Sequence, residues 1–241
     1  MPKYAMVIDL HRCTGCGACI LGCKVENNLD EKVFWAHHIK VLEGTFPDLE
    51  YTYIPTLCNH CDNAPCVEVC PVEPKAMHKV ENGMTMHNLS RCIGCRLCEE
   101  NCPYGVIHYN AEGPHAFWRD DTALIPDCTS TPVETTQKVD SKVIPYYSPD
   151  RDHYTYQGIR EKNKVEKCTF CDHRVERGMA PYCNEVCPCD ARYFGDLEDP
   201  NSTVSKLLNE YPYQRLKEDL GTEPRVYYIR NYKPQKPNRE G

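Results

Sequence analysis

The chain has 241 residues, 41% of them apolar, which suffices for one large or two small domains with a buried core; no run approaches the roughly 20 apolar residues that span a bilayer. A net charge of -7 excludes the Lys and Arg excess that phosphate binding to nucleic acid requires, and residues 1–9 carry neither the basic nor the long apolar stretch of a secretory signal. Cysteine is the outlier: there are eighteen, a density otherwise met in small disulfide scaffolds, whereas a chain of this length needs no disulfides to fold.

In chain order, residues 4–9 read as a short strand leading into Cys13, Cys16, Cys19 and Cys23, with a short helix around the last of these. A second group follows at Cys58, Cys61, Cys66 and Cys70. Residues 84–87 read as a strand leading into a third group, Cys92, Cys95, Cys98 and Cys102, with a helix at its end and a return strand over 106–109. The phrase V-I-D-L-H-R-C-T-G-C around Cys13 returns as M-H-N-L-S-R-C-I-G-C around Cys92, the mark of a duplicated unit. Residues 110–165 are rich in Pro, Asp, Thr and Tyr, and Phe117, Trp118, Tyr146, Tyr147, Tyr154 and Tyr156 favour a wrap against a partner over disorder. The fourth group is Cys168, Cys171, Cys183 and Cys187. Residues 200–211 read as a helix with Val204, Leu207 and Leu208 on one face and Ser202 or Asn201 as its cap; 225–230 read as a strand and 232–241 as an exposed arm.

The spacing decides what the cysteines do. Groups one and three follow C-x2-C-x2-C-x3-C, the bacterial ferredoxin ligand run; groups two and four share C-x2-C-D and a later C-x-E-V-C-P with the middle opened. Two spacer residues let a loop wrap one face of a cubane, and Gly15, Gly17 and Gly94 suit such loops as cofactor-binding positions because they permit close approach and a positive φ. Pro71, Pro103 and Pro188 each follow the last cysteine of a group and help end the loop. In two-cluster ferredoxins the fourth cysteine of each run ligates the cluster of the other run. Groups two and three then pair, giving Cys58, Cys61, Cys66 with Cys102 and Cys70 with Cys92, Cys95, Cys98. Groups one and four pair around them, giving Cys13, Cys16, Cys19 with Cys187 and Cys23 with Cys168, Cys171, Cys183.

Rival readings are weaker. Zinc sites show well-separated C-x2-C pairs with histidines among the ligands, and cysteines three apart are poorly placed for disulfides. His60 and His173 adjoin ligand positions, but a supporting role fits them better than Rieske-type ligation. Cys128 and Cys189 stand outside the groups and read as free thiols, the sharper alternative being that Cys189 replaces or adjoins a ligand of group four. No triad or phosphate cradle is visible, so no catalytic residue is expected. The fold expected is α+β, duplicated bacterial-type ferredoxin domains carrying four 4Fe-4S clusters, with a long irregular insertion and a C-terminal extension. Its segments are 1–52 (first half of ferredoxin domain I), 53–110 (ferredoxin domain II), 111–165 (insertion), 166–199 (second half of domain I) and 200–241 (C-terminal helix, strand and arm).

The four groups in this order resemble the iron-sulfur subunit of dimethyl sulfoxide reductase-family molybdoenzymes over nearly the whole chain. The phrases W-A-H-H-I, E-G-T-F-P-D, Y-T-Y-I-P-T-L-C-N-H-C-D, C-P-Y-G-V-I, K-C-T-F-C-D-H-R and P-R-V-Y-Y-I-R look like the respiratory arsenate reductase branch, and several are shared with pyrogallol-phloroglucinol transhydroxylase. The latter's small subunit has lost one cluster, whereas all sixteen cysteines stand here. The resemblance implies a large partner holding molybdenum and bis-pterin guanine dinucleotide, with the cluster on Cys13, Cys16, Cys19 and Cys187 nearest to it. It also implies a quinol-linked membrane subunit or soluble donor at the other end, and export bound to a signal-bearing partner, the alternative being a cytoplasmic protein. Cys189 within C-P-C-D-A-R and the stretch V-E-P-K-A-M-H after Pro71 depart from the pattern without removing a ligand. A free-standing polyferredoxin is the reading outside this family.

Overall fold

The computed structural model describes residues 2–112, 123, 125–138 and 160–230. The aromatics of the insertion named above and the 232–241 arm lie outside the described residues. In the first half of the chain the elements are β1 (Tyr4–Asp9), α1 (Ala18–Glu26), β2 (Ala36–Thr45), β3 (Asp48–Leu57), α2 (Pro65–Glu68), β4 (Met77–Lys79), β5 (Thr85–His87), α3 (Leu97–Glu100) and β6 (Ile107–Asn110). After them come α4 (Pro132–Lys138), β7 (Lys164–Lys167), α5 (Asp172–Val175), α6 (Tyr182–Glu185), β8 (Arg192–Asp196), α7 (Thr203–Glu210), β9 (Tyr213–Gln214) and β10 (Val226–Ile229).

The fold is mixed α+β, and β1 is its centre. The run Ala5–Val7–Ile8 is apolar without alternation because both faces of the strand are covered. Met6 and Ile8 point into the large core that also holds most of the cysteines, while Ala5 and Val7 pack with Val204 and Ile229 beneath α7. β1 pairs antiparallel with β8 (Tyr4↔Asp196, Ile8↔Arg192) and parallel with β10 (Met6↔Val226, Asp9↔Ile229), so the sheet order is β8-β1-β10-β9. The strand expected over 225–230 therefore sits inside the main sheet, bringing the C-terminal segment against the N-terminal one. Ser202 caps α7, its Oγ accepting from Ser205 N–H at 3.1 Å, a contact that contributes about 1 kcal/mol.

Three two-stranded ribbons complete the scaffold: β2-β3, β4-β5 and β6-β7. The β2-β3 hairpin (Ala36↔Leu57 to Thr45↔Asp48) has no counterpart among the elements expected from the sequence, because its outer half buries little and so does not alternate. Helix α1 packs against α6, and α2 against α3, so the helices bearing cysteines meet in two like pairs. Gly22 makes the first contact possible: a Cβ there would fall 2.7 Å from Val186 Cγ2.

Candidate metal centre

The cysteines sit on short loops and the helices that follow them, and the structure brings them together in four tetrads. Cys13, Cys16, Cys19 and Cys187 line one cavity. Cys58, Cys61, Cys66 and Cys102 line another, and Cys70, Cys92, Cys95 and Cys98 a third. Cys23, Cys168, Cys171 and Cys183 form the fourth tetrad, all of them buried. Asn27 Nδ2 donates to Cys23 Sγ at 3.7 Å and to Cys171 Sγ at 3.9 Å. In every tetrad one cysteine comes from a different group than the other three, which is the crossed arrangement of two-cluster ferredoxins.

The loops share one backbone device. In the first C-x2-C of each group the second spacer residue is left-handed: Gly15 at φ 68, His60 at φ 45, Gly94 at φ 70 and Phe170 at φ 55. This turns loop amides toward the sulfurs; Gly94 N–H donates to Cys92 Sγ at 3.4 Å and Phe170 N–H to Cys168 Sγ at 3.3 Å. For a bulky residue the conformation is strained by roughly 1–3 kcal/mol. His60 and Phe170 hold it by stacking on each other, ring centroids 3.8 Å apart, at the boundary between two tetrads. The sequence signal for these two residues is their position alone, the slot that glycine fills in the other two loops. His60 Nδ1 accepts from Thr85 N–H at 3.1 Å and His173 Nε2 contacts Glu26 Oε1 at 2.8 Å, so both histidines support loops.

Chemically the sites suit a polynuclear cationic core that becomes a net anion once four thiolates bind it. None of the three cavities is lined by a carboxylate, and Pro71, Pro103 and Pro188 each form part of the wall. Among the described residues no set of three or more His, Cys, Asp or Glu is arranged to hold a single metal ion. A lone zinc needs four sulfurs converging to about 2.3 Å from one point, whereas these stand around the walls of a cavity. Burial pushes up the thiols of Cys61, to about 11, and of Cys98 and Cys171, to about 12, with neighbouring cysteines adding to the effect. Ionising these three therefore needs a cationic metal centre, and loading releases protons. Cys128 is exposed and apart. Cys189 lies 3.6 Å from Thr14 Oγ1 and lines the Cys13 cavity, beside Cys187 of group four.

Comparison with known proteins agrees with this geometry. The 4Fe-4S dicluster domain model matches residues 49–139 and again 115–197. The chain belongs to the 4Fe-4S dicluster family. It is an iron-sulfur electron-transfer protein, and the dicluster matches take in groups two, three and four. Group one precedes them, and full-length relatives cover it. The chain is 50% identical to the arsenate respiratory reductase iron-sulfur subunit of Shewanella sp. (strain ANA-3) over 95% of this chain and 97% of that one. Identity is 34% to a selenate reductase subunit of Mesobacillus selenatarsenatis (94% and 72% covered) and 32% to a tetrathionate reductase subunit of Salmonella typhimurium (94% and 72%). No helix among the described residues is long and apolar enough to cross a membrane.

Proposed function

We propose that the four tetrads hold four 4Fe-4S clusters in one file and that the chain relays electrons to or from a molybdopterin catalytic subunit, arsenate being the first substrate to test. Neighbours support the order: Cys19 is close enough to Cys183, and Cys58 to Cys168, to act on it electrostatically, and α2 and α3 each carry or adjoin cysteines of both remaining tetrads. The file thus runs from Cys13/Cys16/Cys19/Cys187 through Cys23/Cys168/Cys171/Cys183 and Cys58/Cys61/Cys66/Cys102 to Cys70/Cys92/Cys95/Cys98. The observation that carries the reading is that the exposed ligand-run cysteines are Cys16 and Cys95, one in each terminal tetrad. When bound, a cluster supplies one-electron exchange at a potential within roughly -700 to +450 mV.

The chain's own residues do the rest. Inward amides at Gly94 and Phe170 hold sulfurs, and the buried Cys23/Cys168/Cys171/Cys183 tetrad excludes water. Full-length identity to a respiratory arsenate reductase subunit supports arsenate. The selenate and tetrathionate relatives support the same role alongside another catalytic subunit as the second reading. Export bound to a signal-bearing partner, with a quinol-linked subunit or soluble donor at one end, completes the proposal.

The native complex, purified without oxygen, is expected to contain about sixteen irons per copy of this chain together with molybdenum, and arsenate should reoxidise its dithionite-reduced clusters. Selenate or tetrathionate acting in place of arsenate would move the assignment to another partner. The same iron in a stable monomer without molybdenum would replace the subunit reading with a free-standing polyferredoxin.

A further inference from the structure

The core contains a cation that none of the tetrads uses as a ligand. Arg192 opens β8, where its own strand pairs it with Ile8, and its side chain reaches the core with only 5% of the residue exposed. Nη1 lies 3.7 Å from Cys183 Sγ and 3.4 Å from Met6 Sδ. Nη2 is buried without a hydrogen-bond partner. The same residue lines the cavity of Cys13, Cys16, Cys19 and Cys187. Arg192 thus adjoins two tetrads, the outer one with an exposed cysteine and the fully buried one behind it.

A buried charge persists only when it is compensated, and a guanidinium stays protonated in proteins. Burial works against the charge of Arg192, and the hydrogen-bond contacts of Nη1 are sulfurs, Cys183 Sγ and Met6 Sδ, rather than carboxylates. The compensation therefore comes from the sulfur sites themselves. Each site gains a unit of negative charge when an electron arrives, and in a dry interior a cation a few ångströms away favours that state.

We propose that Arg192 is the shared counter-charge of the Cys13/Cys16/Cys19/Cys187 and Cys23/Cys168/Cys171/Cys183 sites and raises the reduction potential of the clusters they hold. Its role is to position charge and not to ligate. The inference rests on the relay reading above, and it adds that the half of the file nearest Cys16 is biased toward holding electrons by a residue contributed from β8.

The test is a potentiometric titration followed by electron paramagnetic resonance on the anaerobically purified complex, with R192M, R192Q and R192K beside wild type and iron measured for each. R192M and R192Q are expected to keep wild-type iron while two of the cluster signals lose about tenfold in reduced-to-oxidised ratio at fixed potential, which is 59 mV for a one-electron couple. R192K should stay close to wild type, and the other cluster signals should not move. R192Q matching wild type, or R192K shifting as far as R192M, would overturn the proposal, because hydrogen bonding or shape and not charge would then be at work. Loss of iron from R192K and R192Q alike would also overturn it, since Arg192 would then be a packing residue of the loop. A wild-type complex without cluster signals would overturn the relay reading itself, and this inference with it.

Discussion

The two halves of the cysteine file are closed over very different lengths of chain. In the half built from groups two and three, Thr85 Oγ1 donates to Cys61 O across 24 positions of sequence. In the half built from groups one and four, Asn27 Nδ2 reaches Cys171 Sγ across 144. Loop-closure entropy grows only with the logarithm of length, so the longer closure costs roughly 1.5 kcal/mol more. That is recovered by a few contacts: β1 pairs with both β8 and β10, Arg12 Nη1 donates to Asp190 O at 3.0 Å and Tyr193 Oη at 2.7 Å, and Arg230 pairs with the buried Asp9. A long insertion between the groups is therefore cheap in equilibrium terms, and the remote half relies on a sheet where the local half relies on its loops.

The largest effect that separates the halves is loss of a cluster. Because Cys102 lies with Cys58, Cys61 and Cys66, C102S should weaken the cluster of that tetrad and leave the Cys70/Cys92/Cys95/Cys98 signal intact; C187S should do the same to the Cys13 tetrad and spare the buried one behind it. Iron content and low-temperature resonance spectra of the two variants read this directly. A change in the cluster of the variant cysteine's own sequence group would mean that the tetrads are not crossed in the loaded protein.

In both halves the features set by neighbouring residues are legible in the sequence, and the reasons are physical. The strands before Cys13 and Cys92, the return strand and the capped helix all leave short-range marks: apolar residues, a tight C-x2-C, a serine three positions ahead of the N–H it accepts from. β1 matches the expected 4–9 range, and Ser202 is the cap of α7. The crossed tetrads were reachable because the ligand run carries its own pairing rule. Three things left no such mark. The β2-β3 hairpin exposes Leu42, Phe46 and Leu49, so the alternation that betrays a half-buried strand is missing. The parallel pairing of β1 with β10 joins the two ends of the described chain, a register that no local pattern encodes. His60 and Phe170 break the glycine rule for left-handed residues, and their mutual stacking, with the Thr85 N–H bond to His60, holds them there.

Equivalent glycines sharpen the comparison. A Cβ on Gly94 would fall 2.2 Å from the backbone oxygen of Asn163, whereas one on Gly15 would meet the ring of Tyr53 at 2.5 Å. Both substitutions incur left-handed strain of about 1–2 kcal/mol. The Tyr53 ring moves by side-chain rotation at the cost of its edge contacts with Tyr51 and His38, whereas the Asn163 backbone has no such freedom. G94A is therefore expected to cost about 3 kcal/mol with overpacking included and G15A nearer to the strain alone, read as unfolding midpoints of the cluster-loaded chain. Equal losses would show that Tyr53 is held as firmly as backbone, which would make the β2-β3 hairpin a rigid part of the first half.

The smallest effect probes the closure of the remote half from its side chains. Glu26 on α1 contacts His173 Nε2 at 2.8 Å and Arg174 Nη1 at 3.5 Å on α5, and Arg174 in turn reaches Glu185 on α6 at 2.5 Å. Burial alone would raise the Glu26 carboxyl, but the His173 hydrogen bond and the Arg174 charge together bring it below its ordinary value. A carboxyl with a depressed folded pKa stabilises the fold in full above its unfolded pKa and loses that contribution as pH falls through the folded one. E26Q should therefore be less stable than wild type at pH 7 by about 1.5–3 kcal/mol, the range for hydrogen bonds to charged groups. The gap should hold at pH 6 and narrow as pH falls below about 4.3, where the unfolded carboxyl takes up its proton. Urea midpoints across that range measure it, with the Cys70/Cys92/Cys95/Cys98 signal as the internal control that should not change. No gap at pH 7 would remove Glu26 from the closure and leave the β1-centred sheet to hold the two distant segments together.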